Sequence, residues 1–424
     1  MFSFIDKFKW AGTDRIYGLP WLRNRIEYTA DPSRVKEFVQ GCKYTRSQLT
    51  RDTLTRFHIS NNSIVVSDDE HAQFLRKIFI TCLPQQEKFP SIAKELIDNV
   101  LPSNGTQAAE QPIHLSGTLI RQMYLSLLVN LLGVSILSPL KEYINSIDFK
   151  PSTRPMHLDA LMYAFGMQLP GFGPMRGVIN WVYFKDDHYT RKIATKLEEA
   201  VYEFSQPKQD SWYSALLEMK QSGKLTRAEF RGELTSTLVS SYALSAALST
   251  MLLCLAGRPE YVNKIREDKR MAKCFVDEVL RLYPPFRQFG YEEKGIWQKS
   301  RKSRGEVTDL MVSIFALHRN DAVWEDPDSF IPERFLVSGL AKGCKFMPFG
   351  MGKRSCPGGQ YSTRLLVETL RYVCSQQCNL KLALPADYDA DESGMPIGVN
   401  GRLISFPVDD RIFVQRKSVI EKLS

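Results

Sequence analysis

The rhythm of hydrophobic and polar positions changes along this chain. Over about the first 65 residues, short β-branched runs alternate with Pro and Gly, which predicts a small sheet with connecting helices. From about 68 to 285, apolar residues recur at three- and four-residue spacing, the pattern of amphipathic helices. The segment 286–350 departs from this, with a basic turn (QKSRKSRGE, 298–306), an apolar run from Leu310 to Leu317, and then Pro-containing loops. Helical spacing returns over 357–378, where Leu365, Leu366, Thr369, Leu370 and Val373 share one face. The tail alternates as strands do around Asn400-Gly401, a hairpin signal. Two stretches, Tyr124–Leu140 and Thr237–Gly257, are apolar throughout. Both carry Ser or Asn and lie mid-chain without flanking anchors, so they read as buried helices rather than membrane spans. The opening residues, MFSFIDKFKWAGTDRIYGLPW, are aromatic but broken by charge, with no long apolar run and no secretory core. The expectation is a chain without a transmembrane anchor. No internal repeat or low-complexity linker occurs. One mainly α domain with a minor β part fits residues 1–424, in three parts: 1–65, 66–285 and 286–424.

Composition narrows the class without choosing a function. Of 424 residues, 43% are hydrophobic and 24% charged, a globular balance that excludes disordered, fibrous and polytopic membrane chains. The net charge of +9 suits an acidic partner, a nucleic acid or an anionic surface. Lysines and arginines are dispersed, with 298–306 the one cluster, so nucleic-acid binding is the weakest of these and is not expected. Eight cysteines at 42, 82, 254, 274, 344, 356, 374 and 378 form no C-x-x-C and no disulfide framework, which points to a reducing, cytoplasmic setting. Cys374 and Cys378, four apart on a predicted helix, read as packing residues.

The chemistry concentrates at Phe349–Gly359, FGMGKRSCPGG. A cysteine among glycines just before a helix has a physical use. Backbone N–H groups at the helix start stabilise a thiolate, and glycines let the chain approach a flat macrocycle. A thiolate is the haem ligand that favours O–O cleavage. Arg354, two residues before Cys356, suits a haem propionate. A phosphate loop fails as an explanation, because Met347 and Arg354 stand where its template needs Gly and Ser or Thr.

At this point the sequence resembles the cytochrome P450 superfamily, whose Cys-loop pattern F-x-x-G-x-R-x-C-x-G is met by Phe349, Gly352, Arg354, Cys356 and Gly358. Upstream, Glu278 and Arg281 in DEVLRLYPP match the family's E-x-x-R helix. The segment HRNDAVWEDPDSFIPERF (318–335) matches its P-E-R-F region and supplies Arg334. The resemblance runs from about residue 60 to the end. It implies a single triangular fold, mainly α with a minor β part, with haem b between a long central helix and the Cys-loop helix. It makes Cys356 the iron ligand, with Phe349 packed near the sulfur and Gly350 and Gly358 in the haem-binding loop. Glu278, Arg281 and Arg334 become a structural cluster. His71 and Arg76, in SDDEHAQFLRKIF (67–79), become further propionate candidates. Tyr291 stands where many members carry a propionate-binding arginine, and Arg287 is a candidate to compensate or to face substrate. Phe57, His58, Ile59, the run Ile64–Val66, Phe286, Phe289, Leu403 and Phe406 are candidates to line the cavity. Pro170–Pro174 reads as a loop over the pocket.

The central helix departs from the family. Aligned back from Gly257-Arg258-Pro259-Glu260, the usual A/G-G-x-D/E-T centre reads Val239-Ser240-Ser241-Tyr242-Ala243. Tyr242 replaces the acid, and Ala243, which cannot hydrogen-bond through its side chain, replaces the threonine. Several outcomes stay open. Ser240, Ser241 or Ser245 orders a water chain, or the substrate supplies the relay. Alternatively the enzyme uses peroxide, rearranges its substrate, or couples two aromatic rings without inserting oxygen. The expectation is a bacterial-type oxidoreductase of a small, apolar or aromatic specialised metabolite. A haem protein without turnover is the alternative from another class. Electrons would come from a separate ferredoxin or flavodoxin, met by a basic face of Arg76, Lys77, Lys345 and Lys353.

Overall fold

The early β-branched runs do form strands. The computed structural model describes residues 15–17, 25–40, 43–47, 50–51, 59–60, 62–67, 69–101, 112–134, 138–149, 192–196, 198–199, 208–294, 307–337, 339–340, 343–376, 378–383, 399–400, 404, 406–407 and 410–416. In chain order these hold β1 (Arg15–Tyr17), β2 (Arg25–Thr29), α1 (Pro32–Gln40), β3 (Tyr44–Arg46), α2 (Glu70–Thr81), α3 (Phe89–Val100), β4 (Ile113–His114), α4 (Leu115–Asn130) and α5 (Ser138–Ser146). There follow α6 (Trp212–Gln221), α7 (Arg227–Ala256), α8 (Glu260–Glu267), α9 (Lys269–Leu282), β5 (Gln288–Glu293), β6 (Val307–Ser313), α10 (Ile314–Leu317) and α11 (Gly359–Ser375). The tail contributes β7 (Cys378–Leu382), β8 (Val399–Asn400), β9 (Phe406–Pro407) and β10 (Arg411–Arg416).

The N-terminal strands do not make a sheet alone. β5 and β6 enter between them, giving the order β1-β2-β6-β5-β3, parallel between β2 and β6 and antiparallel elsewhere. This sheet has its own core, in which Tyr28, Phe38, Tyr44, Tyr291, Val312 and Met347 pack together. The apolar run 310–317 is divided: Ser313 ends β6 and caps α10, its hydroxyl accepting the Ala316 N–H at 3.2 Å. A larger core joins the helices.

α7 runs through that larger core. Thr226 and Glu229 form a capping box, in which the Glu229 N–H donates to Thr226 Oγ1 at 3.2 Å and the Thr226 N–H donates to Glu229 Oε2 at 2.8 Å. An apolar surface on every side requires burial on every side. Among the described residues, α7 is the one helix long and apolar enough to cross a membrane, but 78% of its apolar window is buried inside the protein. The segment 59–67 crosses it closely: a Cβ on Gly232 would stand 2.7 Å from the Ser60 nitrogen. Trp212 of α6 donates its Nε1–H to Thr237 of α7 at 3.1 Å and meets Phe79 of α2 edge-on.

On α11 the five residues of the expected face are all buried. The helix stops at Ser375, however, so Cys374 and Cys378 do not share it. Cys378 opens β7, held by backbone pairing to Arg416. Near the C-terminus, β8 pairs with β9 through Asn400 and Phe406. Asn400 thus belongs to β8 itself, and Gly401 lies outside the described residues.

Candidate active site

Cys356 is held by a turn that its neighbouring glycines permit. Gly350 and Gly352 take φ of +69° and +68°, where a side chain would be strained. The Cys356 N–H donates to the Phe349 carbonyl at 2.8 Å, and the Gly359 N–H donates to the Cys356 carbonyl at 3.1 Å. A Cβ on Gly359 would stand 3.2 Å from the Phe349 ring, so the missing side chain lets that ring lie against the start of α11. Cys356 is exposed by its surface, yet enough protein surrounds it that burial pushes its thiol up. The Gly358 N–H and the charges of Arg76 and Arg46 pull the other way. A side chain both reachable and enclosed faces internal space.

The loop is tied to a buried ionic cluster. Glu278 and Arg281, three apart on α9 and both wholly buried, meet through two hydrogen bonds of 2.7 and 2.8 Å. Arg334 Nε reaches Glu278 at 3.2 Å, and the Ile331 N–H donates to the same carboxylate at 2.8 Å. Arg281 also donates to the carbonyls of His318, Pro327 and Ser329. His318 carries the link onward. Its Nε2 accepts the Met347 N–H at 3.0 Å, so Nδ1 bears the proton and donates to the Arg281 carbonyl at 3.1 Å. Burial, helped by the Arg281 charge, pushes His318 down to about 3, so the ring stays neutral as this bridge requires.

Beyond its accessible first turns, α7 opens in one place. From Gly232 to Ala256 every residue is buried except Val239, Ser240, Tyr242 and Ala243. The alignment that placed the centre at 239–243 thus falls on the one accessible stretch between Gly232 and Ala256. Ser241 and Ser245 are wholly buried and donate their hydroxyls to the carbonyls of Leu238 and Ser241, both at 2.6 Å. Ser240 is exposed and donates to the Thr237 carbonyl at 2.5 Å. Tyr242 turns edge-on to Tyr124 at 5.9 Å.

The arginines divide into two groups. Arg76 is buried and donates to the carbonyls of Ser355 at 2.6 Å and Ile64 at 2.5 Å. That burial removes it from the expected basic surface, where Lys77 and Lys353 are exposed and Lys345 half-buried. Arg354 is buried, donates to the Tyr44 carbonyl, and stands 5.6 Å over the Tyr291 ring. Arg287 lies apart, 4.5 Å over the Phe315 ring, beside Arg319 at 3.8 Å from the same ring. His71 is half-buried in the first turn of α2, within electrostatic reach of Glu229.

Phe286 and Phe289 are half-buried with centroids 6.3 Å apart, and Phe289 comes within 3.8 Å of where a Gly350 Cβ would be. Ile59, Ile64 and Val66 are buried and Val65 is half-buried. Phe57, His58, Leu403 and the loop 170–174 lie outside the described residues, and Phe406 is described only as part of β9. Three residues bear on the site without having been singled out in the sequence: Arg46, His318 and Glu233. Glu233, nearly inaccessible on α7, accepts the Ile64 N–H at 3.0 Å. Burial pushes it up to about 7, against the pull of Ser63, Ser236 and Arg76. A lone acid inside an apolar helix was the available signal for it.

The model of the cytochrome P450 family matches residues 12–363, which include the Cys loop, the E-x-x-R helix and α7. This chain is a cytochrome P450. Cytochrome P450 4B1 of Rattus norvegicus is 29% identical over 49% of this chain and 44% of its own length. Cytochrome P450 84A4 of Arabidopsis thaliana is 40% identical over 23% of this chain and 20% of its own. Taurochenodeoxycholic 6 alpha-hydroxylase of Sus scrofa is 29% identical over 34% and 32%. The chain therefore spans less than half the length of each of these relatives, and as animal and plant proteins they lend no support to a bacterial type. Cytochromes P450 bind haem through a cysteine thiolate, act on small molecules and draw on a redox partner. The residues here fit that cofactor: an enclosed but reachable thiol, arginines gathered at its loop, and glycines that keep the loop free of side chains.

Proposed function

We propose that the protein is a monooxygenase-type oxidoreductase of a small, mostly apolar molecule of specialised metabolism, and that Ser240 serves where the family uses an acid–alcohol pair. The observation that carries this reading is the opening in α7 at Val239, Ser240, Tyr242 and Ala243. Ala243 offers no polar atom, and Tyr242 packs against Tyr124. Ser241 and Ser245 spend their protons on the helix backbone away from the opening. Ser240 faces it, and its oxygen keeps lone pairs that accept a hydrogen bond from water. Haem, when bound through Cys356, supplies the oxygen chemistry. The protein holds the thiolate, keeps water from the sulfur with Phe349, and offers an aromatic wall in Phe286 and Phe289. The ionic cluster and His318 fix the loop's position beneath.

We place the protein, as a single domain, in a reducing cytoplasm, supplied by a separate acidic donor of the ferredoxin or flavodoxin kind. Lys77, Lys345 and Lys353 are the cations that would receive it. Reduction should slow as ionic strength rises from about 0.01 to about 1 M, and a rate that ignores salt removes the steering. Product analysis under isotopically labelled dioxygen tests the reaction. One labelled oxygen in the product supports it, whereas unlabelled joined rings mean coupling. Turnover with hydrogen peroxide alone means a peroxide-driven enzyme, and no consumption with any oxidant means a carrier or sensor.

A further inference from the structure

We propose that Glu233 is a positioning residue for the cysteine loop, acting on it through Ile64 and Arg76. The proposal rests on Cys356 being the haem ligand. Both backbone groups of Ile64 are taken by side chains from other elements. Its N–H donates to Glu233 Oε1 of α7 at 3.0 Å, and its carbonyl accepts from Arg76 Nη2 of α2 at 2.5 Å. The same guanidinium donates through Nη1 to the Ser355 carbonyl at 2.6 Å, one residue before Cys356. Three hydrogen bonds thus lead from α7 to the backbone beside the ligand cysteine. The charge of Arg76 also reaches the Cys356 sulfur and favours its thiolate. A shift of that guanidinium changes both the support of the loop and the charge felt by the sulfur.

The segment that carries Ile64 is built to pass this hold on. Its turns close on themselves: the Ser63 N–H donates to the Ser60 carbonyl at 3.0 Å, and the Val66 and Ser67 N–H groups donate to the Ser63 carbonyl at 2.9 and 2.8 Å. The Ile64 N–H points out of these turns to α7. Ser63, Ile64 and Val66 are buried, so water does not replace a lost partner there. Elsewhere the segment rests on α7 by other means. The Asn62 side chain donates to Glu229 at 2.7 Å, and Gly232 admits the backbone of Ser60. Those contacts bring the segment onto the helix, whereas Glu233 grips the residue that Arg76 also grips.

The neighbouring polar residues of α7 do not share this task. Ser236 and Thr237, one turn on, both donate their hydroxyls to the Glu233 carbonyl of their own helix, at 2.9 and 2.8 Å. A hydroxyl turned back in this way serves its own backbone. The longer side chain of Glu233 instead crosses to another segment, although burial disfavours a carboxyl at this place. Removing its oxygen would leave the Ile64 N–H buried without an acceptor, the costly way to break a hydrogen bond.

The carbon monoxide complex of the reduced holoprotein reports the sulfur directly, because its red-shifted Soret band lasts only while a thiolate holds the iron. The rate at which this band is lost on warming is followed in the parent and in variants, with far-UV circular dichroism to confirm folding. Glu233→Leu should lose the band about tenfold faster than the parent. Glu233→Gln, which keeps an acceptor for Ile64, should stay within about twofold of the parent. Asp410→Ala controls for general loosening, since Asp410 accepts the Ser116 N–H at 2.6 Å at the start of α4, and it should leave the rate unchanged. Arg76→Lys cannot span two carbonyls, so adding Glu233→Leu to it should change the rate by less than about twofold. An unchanged rate in Glu233→Leu would overturn the proposal. Equal acceleration in Glu233→Leu and Glu233→Gln, or in Asp410→Ala, would reduce Glu233 to a stabilising contact. A full effect of Glu233→Leu on top of Arg76→Lys would mean that it does not act through Arg76. If Glu233→Leu does not fold, Glu233→Asp, one methylene shorter, carries the same comparison. A parent that never shows the band would instead fail the reading of Cys356 as the ligand, so the two failures are told apart.

Discussion

Glu233 shows how one residue records its surroundings. It sits on α7 with hardly any accessible surface, and its carboxyl is pushed up to about 7. The folded state therefore holds this proton more tightly than the unfolded chain does. Its contribution to stability is complete below about pH 4.5, declines as pH rises toward about 7, and is then constant. Glu233→Gln keeps an acceptor for the Ile64 N–H but removes the titration. The difference in unfolding free energy between parent and variant should change by about 3 kcal/mol across that window, in favour of the variant at high pH. Thermal midpoints measured from pH 4 to pH 8 check this, and parallel curves would contradict it. Residues of this kind were hard to read in advance. The Cys loop and the E-x-x-R pair declare themselves by spacing. Arg46 and His318 act through partners 308 and 29 positions away, and no local pattern encodes such distances.

Among the elements, α7 combines what was legible with what was not. Its length, apolar surface and unusual centre were visible in the sequence. Which of its serines are usable was not, because that depends on hydroxyls turning back onto the helix's own carbonyls. Ser240→Ala should lower the fraction of consumed reductant that reaches product, while Ser241→Ala should not. Ala243→Thr should raise that fraction if the opening lacks a relay, and should weaken substrate binding if substrate already fills the space. Reductant consumption and product yield measured together decide between these. Unchanged coupling and affinity in Ala243→Thr would mean that position 243 does not face the chemistry. The strands show the opposite balance. β1 to β3 were anticipated as a local sheet, but their central neighbours come from 245 to 283 residues later, and short strands carry too little pattern to name a distant partner.

Across the whole molecule, the ionic cluster ties α9, the 318–335 segment and the Cys loop into one support. Glu278→Ala leaves the buried Arg281 and the half-buried Arg334 without their shared carboxylate and should destabilise the fold by about 3–5 kcal/mol. Haem content should fall with it. A variant of normal thermal midpoint and full haem content would show the cluster to be dispensable. The same support gives weight to a place where nothing is present at all. Gly232 allows α7 and the 59–67 segment to cross nearly backbone to backbone, and that segment includes Ile64, whose carbonyl receives Arg76. One added methyl group, in Gly232→Ala, must pry the two strands of chain apart and tilt an arginine on the far side. The loss should register as quicker escape of the pigment, from a substitution that touches neither porphyrin nor cysteine.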